Sequence, residues 1–295
     1  MTIDLVVPEG VELTTLLDEL RKLSWAAADV LMAYARGHQP PYGFPKSLTV
    51  EEGGDGPVSA ADMAINELLI SGLKDGLNYK EWDIVSEETS KEKTLQSFNF
   101  RRDWCWILDP LDGTKDFLQG SENYAVHIAL AYKKKPKIGI VLIPERNELW
   151  VGIIGNGAWC ENREGNKKTI SFSRREEISE LILVSSKNHQ QSKLINLLST
   201  LCFAETKKIG SVGCKVASIL RGEADVYISL SGKTSPKDWD MAAPHVLIEA
   251  AGGRFSHADG KNLIYLNQNF SQSGCLIASH GKSHQKICQK AMRFF

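Results

Sequence analysis

Over residues 11–36 the apolar positions Leu16, Leu20, Leu23, Ala27, Val30 and Leu31 recur at helical spacing. That period predicts one long amphipathic helix, with Gly37 as its stop. A second helix is predicted over 60–73, where Ser59 and Asp62 have the spacing of a capping box with aspartate in place of glutamate. The acidic, glycine-rich segment 51–56 between them reads as a loop. Two short apolar runs, 82–86 and 104–108, read as buried strands, and each ends in acidic residues. Apolar runs at 126–131, 138–143, 149–154 and 157–160 follow, separated by turn formers such as Pro144-Glu145-Arg146-Asn147 and Gly155-Asn156. They predict an antiparallel meander.

A polar stretch at 161–168 changes the pattern, and a boundary near Arg174 divides the chain into two expected halves. Residues 1–173 form an α+β half with an antiparallel sheet. In residues 174–295, strands at 181–184, 224–228, 253–256 and 274–278 alternate with helices at 192–201, 213–220, 238–251 and 283–292. That alternation predicts α/β layers.

The 295 residues are 42% hydrophobic, enough for a sizeable core. Lys and Arg number 35 against 36 Asp and Glu, a net charge of −1, which gives no electrostatic ground for a nucleic-acid polymer or an anionic membrane as partner. The lysines at 133–137 read as a solvated hairpin turn. Six cysteines without a CxxC pair, mostly among apolar neighbours, fit reduced thiols in a cytoplasmic protein. No apolar run is long enough to span a bilayer.

The segment Asp109-Pro110-Leu111-Asp112-Gly113-Thr114 carries the chemistry. A buried strand runs into two aspartates three positions apart. Pro110 is expected to hold them in a turn that aims both carboxylates at one point, and Gly113 lets the chain turn into a short helix. Two charges about 4 Å apart at an effective dielectric near 20 repel by roughly 4 kcal/mol, so such a pair calls for a cation. All-oxygen ligands select a hard ion such as Mg²⁺. The amides of Gly113 and Thr114 can meanwhile donate to phosphate oxygens at the helix start. Taken alone, the string is equally a helix-starting turn with Asp112 as cap. Two further acidic sites bear on the choice: Glu87-Glu88 after Val85-Ser86, and Asp238-Trp239-Asp240 at a predicted helix start.

Together the three segments resemble the inositol monophosphatase-like, lithium-sensitive phosphatases. Their signatures are a Gly-Glu-Glu-type pair, Asp-Pro-(Ile/Leu)-Asp-Gly-Thr, and Trp-Asp at a helix start; Ser86 stands here where many members have glycine. The resemblance implies a layered αβαβα fold and two or three Mg²⁺ ions held by Glu87, Asp109, the carbonyl of Leu111, Asp112 and Asp240. Glu88 would support them. Asp62, Thr114 and Glu87 are the implied catalytic residues, Asp62 and Thr114 by aiming the attacking water. Asp62 is equally a capping carboxylate, and one side chain can serve both ends. His127, His189, His245, His257, His280 and His284 show no ligand spacing and read as packed or solvated. With no Cys or His nucleophile required, no phosphoenzyme is expected.

Lys115 after Thr114 resembles the 3′(2′),5′-bisphosphate nucleotidase branch, whereas inositol phosphatases favour asparagine there. Ser186 and His189 resemble that branch's nucleotide loop, although an ordinary polar loop has the same look. Gly210, Ser211 and Lys215 resemble substrate-side positions, together with Gly113, Thr114 and Asp240. Lys215 would answer a second phosphate, or else face solvent. The expected partner is a small phosphorylated metabolite, and a homodimer is compatible with the sequence. Adenosine 3′,5′-bisphosphate, cleaved to AMP and phosphate, is the expected substrate. The alternatives are inositol 1-monophosphate or another sugar phosphate, and a catalytically silent metal-binding regulator.

Overall fold

The structure is a computed structural model describing residues 6–53, 56–75, 82–90, 100, 102–187, 192–231, 235–267 and 269–294. Helix α1 (Leu13–Ala35) buries Leu16, Leu20, Ala27, Val30 and Leu31, the stripe its sequence period predicts. Gly37, at φ 65°, ends it. His38 N–H donates to Ala33 O (2.8 Å) and Gly37 N–H to Tyr34 O (3.1 Å), a Schellman closure. Where a loop was expected at 51–56, residues 51–53 and 56 instead belong to a two-stranded antiparallel sheet, β1 (Val50–Gly53) and β2 (Gly56–Ser59). Backbone pairing alone builds it, with Glu51 opposite Val58 and Glu52 opposite Pro57, so no hydrophobic alternation announced it. Helix α2 (Ala60–Asp75) follows directly and packs on α1.

A seven-stranded sheet comes next: β3 (Asp83–Ser86), then helix α3 (Glu87–Ser90), β4 (Trp104–Asp112), helix α4 (Thr114–Leu118), β5 (Ala125–Tyr132), β6 (Lys135–Ile143), β7 (Glu148–Ile153), β8 (Gly157–Glu161) and β9 (Lys167–Lys168). The strands lie in chain order. All neighbours are antiparallel except β3 and β4, which run parallel. Along β4, Trp104, Trp106 and Leu108 pack with α1 and α2, while Cys105 and Ile107 face the opposite core. Both faces of the strand are apolar because both are covered.

The remaining chain alternates β10 (Ile182–Ser185), α5 (Ser192–Leu201), β11 (Glu205–Lys208), α6 (Val212–Leu220), β12 (Val226–Leu230), α7 (Asp238–Ala250), β13 (Arg254–His257), β14 (Cys275–Ser279) and α8 (His284–Ala291). The sheet order is β11-β10-β12-β14-β13. It is mixed: β10 runs parallel to β11 and β12, and β14 antiparallel to β12 and β13. Strand β11, Glu205-Thr206-Lys207-Lys208, is an edge strand with no apolar run, so hydrophobic patterning passed over it.

Three cores separate five layers. One lies between α1, α2 and the seven-stranded sheet, the second holds α6 and α7 between the two sheets, and the third lies under α5 and α8. The layering is the αβαβα arrangement. All six cysteines are free thiols, five of them buried and Cys202 exposed. Among the described residues no helix is long and apolar enough to cross a membrane.

Helix α7 sits directly on the backbone of β6, which fixes the depth of the Asp240 carboxylate at its first turn. A Cβ at Gly139 would lie 2.6 Å from Ala243 O and 2.8 Å from Val246 Cβ. Gly139→Ala should therefore force the helix outward and cost about 1–3 kcal/mol of unfolding free energy. Urea denaturation reads this directly, and an unchanged midpoint would contradict so close a contact.

Candidate active site

Two strand ends and one helix start deliver the acidic residues to a single point. In the β4–β5 pair, Asp109 stands opposite His127 and Asp112 opposite Ala125, so three steps on β4 match two on β5. The ladder therefore bulges at Pro110 and Leu111. This corrects the expectation of a proline turn: Asp109 to Asp112 remain in the strand, and Pro110 occupies a bulge, where its missing N–H costs no ladder bond. Leu111 N–H donates to Asp109 Oδ1 (3.0 Å). Gly113, at φ 94°, then turns the chain into α4.

Carboxylate oxygens of Asp109, Asp112 and Asp240 all lie within 4.8 Å of one another. Asp109 is 0% exposed and Asp112 8%. Burial, then the neighbouring charges of Glu87, Asp112 and Asp240, raise the Asp109 carboxyl well above the usual range. Its Oδ2 is buried, with no hydrogen-bond partner among the described residues. Asp240 accepts from Lys237 N–H (2.6 Å) as a helix-start carboxylate, and burial plus Asp112 push it up to about 6. Asp112 moves the other way. Burial alone would raise it, but His127, Lys215 and Ser211 outweigh that and hold it below the usual carboxylate range.

Glu87 follows β3, whose parallel pairing with β4 sets Ser86 opposite Leu108. It lines the same cleft as Asp240 and lies outside the tight group of three. Ser86, in the place of glycine, donates to Asn66 Oδ1 (2.6 Å) and ties β3 to α2. Asp62 has both of its expected contacts. Its Oδ2 accepts from the N–H (2.7 Å) and hydroxyl (2.6 Å) of Ser59, while Oδ1 accepts from Thr114 Oγ1 (2.9 Å). The Thr114 hydroxyl also lies 3.1 Å from Leu111 O, so one proton has two acceptors.

Beside the carboxylates opens a cavity of about 240 Å³ lined by Glu87, Ser186, Gly210, Lys215, Tyr227 and Asp240 among others. Lys215 is fully buried, which removes the solvent-facing alternative. Its ammonium donates to Gly210 O (2.6 Å) and sits 5.2 Å from the centre of the Tyr227 ring. Burial lowers it to about 8, against the opposing pull of Asp112 and other nearby acids. Ser211 is the main adjustment on the substrate side. Its hydroxyl donates to Asp112 Oδ2 (2.6 Å) and accepts from Cys214 N–H (3.1 Å), so it orients Asp112 and caps α6. His189 lies outside the described residues.

Two partners went unforeseen. His127 is wholly buried, with Nε2 3.1 Å from Asp112 Oδ2. Lys187, next to Ser186, pairs with Asp116 of α4. A histidine inside the apolar run Ala125-Val126-His127-Ile128-Ala129 was the one available hint for the first; the second joins residues 71 apart and left no local sign.

Oxygen-only donors, a buried Asp109 Oδ2 without a partner and two carboxyls raised by mutual repulsion fit a hard divalent cation. Layered sheets that converge such carboxylates beside a cleft holding a buried lysine suit a metal-dependent hydrolase, and the family to which the chain belongs hydrolyses phosphoric monoesters. The chain belongs to the inositol monophosphatase family, whose sequence profile matches residues 12–293. It is 32% identical over 255 residues to the 3′(2′),5′-bisphosphate nucleotidase CysQ of Buchnera aphidicola subsp. Acyrthosiphon pisum, covering 85% of this chain and 87% of that protein. It is 27% identical over 250 residues to the Nus factor SuhB of Vibrio cholerae, covering 83% and 85%. The inositol monophosphatase of Anabaena superposes with a TM-score of 0.72 at 23% identity, over 96% of this chain and 97% of that one.

The raised carboxyls give a signed pH dependence. In the metal-free protein Asp240 holds its proton more tightly than when unfolded. The stability this contributes is complete below about pH 4, the unfolded value, and is lost as pH rises through about 6. Between those limits the melting temperature of chelator-treated wild type should fall relative to Asp240→Asn, and Mg²⁺ should reverse the fall only in wild type. Parallel curves for the two proteins would contradict the repulsion.

Proposed function

We propose that the protein is a Mg²⁺-dependent 3′(2′),5′-bisphosphate nucleotidase that hydrolyses adenosine 3′,5′-bisphosphate to AMP and phosphate. The observation that carries the reading is the meeting of Asp109 and Asp112, from one sheet, with Asp240, from α7, beside a cleft that holds a buried lysine. Glu87, Asp109, the Leu111 carbonyl, Asp112 and Asp240 would hold two or three Mg²⁺ ions. When bound, Mg²⁺ supplies Lewis-acid screening of the phosphoryl group and of the charge developing during in-line attack by water.

The protein's own groups do the rest. Asp62 Oδ1, fixed by the two Ser59 bonds to its other oxygen, accepts a hydrogen bond from the Thr114 hydroxyl. The lone pairs of Thr114 Oγ1 are then left to accept from a water, which orients its oxygen toward phosphorus. Gly113 and Thr114 offer backbone N–H groups to the phosphoryl oxygens. Ser211 and Gly213 N–H (2.9 Å) hold Asp112 in place. Residues 1–173 then supply most of the cation ligands, and 174–295 supply Asp240 and the substrate-facing loops.

Lys215 separates the nucleotide from an inositol monophosphate. Its buried ammonium lines the cleft, where it can meet a second phosphate that only a bisphosphate brings. The nucleotidase named among the relatives supports this choice. A silent regulator has less support, because none of the constellation's carboxylates is missing from the sequence. The free thiols fit a cytoplasmic setting, and resemblance to the family predicts inhibition by Li⁺.

Phosphate release from a panel of phosphomonoesters tests the assignment. Activity should require Mg²⁺, disappear in chelator and favour adenosine 3′,5′-bisphosphate over inositol 1-monophosphate. Preference for the inositol ester would overturn the nucleotidase reading and leave the metal chemistry intact. Asp112→Asn should lower turnover on every substrate by about 100-fold or more, beyond what loss of an outer partner of a metal ligand costs. Lys215→Met should cost the bisphosphate about 10-fold or more in kcat/KM relative to a monophosphate, the loss of one charge-assisted contact. An equal loss on both substrates would remove Lys215 from phosphate recognition.

A further inference from the structure

His127 touches every segment that carries a carboxylate of the cluster. On β5 it stands directly opposite Asp109. The β4 bulge sets Asp112 over the same ring, with Oδ2 3.1 Å from Nε2. On its other side Nδ1–H donates to the carbonyl of Trp239 (3.2 Å), the residue immediately before Asp240. The ring is 0% exposed, and Nε2 has no well-aligned hydrogen bond among the described residues. Space for it is made by α6. A Cβ on Gly213 would stand 2.3 Å from Nε2, so only glycine admits the imidazole at this point, and the same Gly213 donates its N–H to Asp112.

These contacts cross the joint between the layers. Asp109 and Asp112 come from the seven-stranded sheet, while Asp240 comes from a helix more than a hundred residues later in the chain. A cation needs all three at once, yet their like charges push the two parts away from each other. A rigid ring bonded to the backbone beside one ligand and set against the carboxylate of another holds their separation against that push. We infer that His127 is the positioning residue that sets the spacing of Asp112 and Asp240 for the cation, an inference that rests on those carboxylates holding Mg²⁺.

Mg²⁺ titration of the full chain, by calorimetry and by the rise in Tm, provides a readout independent of turnover. His127→Gln keeps a donor at the ε position, His127→Asn keeps one only at the δ position, and His127→Leu keeps neither. The glutamine and asparagine variants each keep only one of the two contacts and should weaken Mg²⁺ binding about 10-fold, and the leucine variant, which keeps neither, should weaken it by about 100-fold, the range usual for losing an outer partner of a metal ligand. Unchanged affinity in all three, or weakening in the leucine variant no greater than in the other two, overturns the positioning role. If His127→Leu does not fold, unchanged affinity in the glutamine and asparagine variants gives the same decision. Absence of any Mg²⁺ response in wild type is a different result, since it overturns the metal site itself.

Discussion

Repulsion among Asp109, Asp112 and Asp240 is the constraint around which the molecule is arranged. Three carboxylates share a space of 4.8 Å, and two of them are raised by burial and by each other. Left alone, such a cluster drives its own protonation or its own separation. The surroundings prevent separation by fixing each carboxylate from the protein side. Leu111 N–H holds Asp109, Ser211 and Gly213 hold Asp112, and Lys237 N–H holds Asp240. What remains for neutralisation is the side facing the cleft, and a hard cation answers it. A bound cation would relieve that repulsion.

The layers follow from the same requirement. A site drawing on two sheets needs them locked at a fixed distance, and helices α6 and α7 provide this by packing between them in one shared core. The close seat of α7 on β6 sets the depth of Asp240, and the β4 bulge turns Asp112 toward it. Asp62 shows how little the local structure gives up for function. The carboxylate that caps the start of α2 through Ser59 uses its second oxygen on Thr114.

Much of this was legible in the sequence because it is written locally. The helical stripe of α1, the strands of the meander and the acidic strand ends each follow from a few adjacent residues. The three aspartates were legible as a group only through spacing shared with a known family. What could not be read depends on partners distant in the chain. Pro110 signals a turn by itself, and only the resumption of pairing at Ala125 shows a bulge. The β1–β2 pair and β11 rest on backbone pairing of exposed residues, which leaves no hydrophobic period. The hold of Ser211 on Asp112 likewise joins residues 99 apart. His127 is packed, as read, and what its sequence position could not show is its contact with Asp112.

The most direct test of the central claim is anomalous diffraction from crystals soaked in Mn²⁺, which substitutes for Mg²⁺ at oxygen sites. The account predicts a strong anomalous peak in coordination distance of Asp109, Asp112 and Asp240, with Asp109 Oδ2 among its ligands. A well-ordered cluster without a peak, its carboxyls bonded to one another through shared protons, would contradict it.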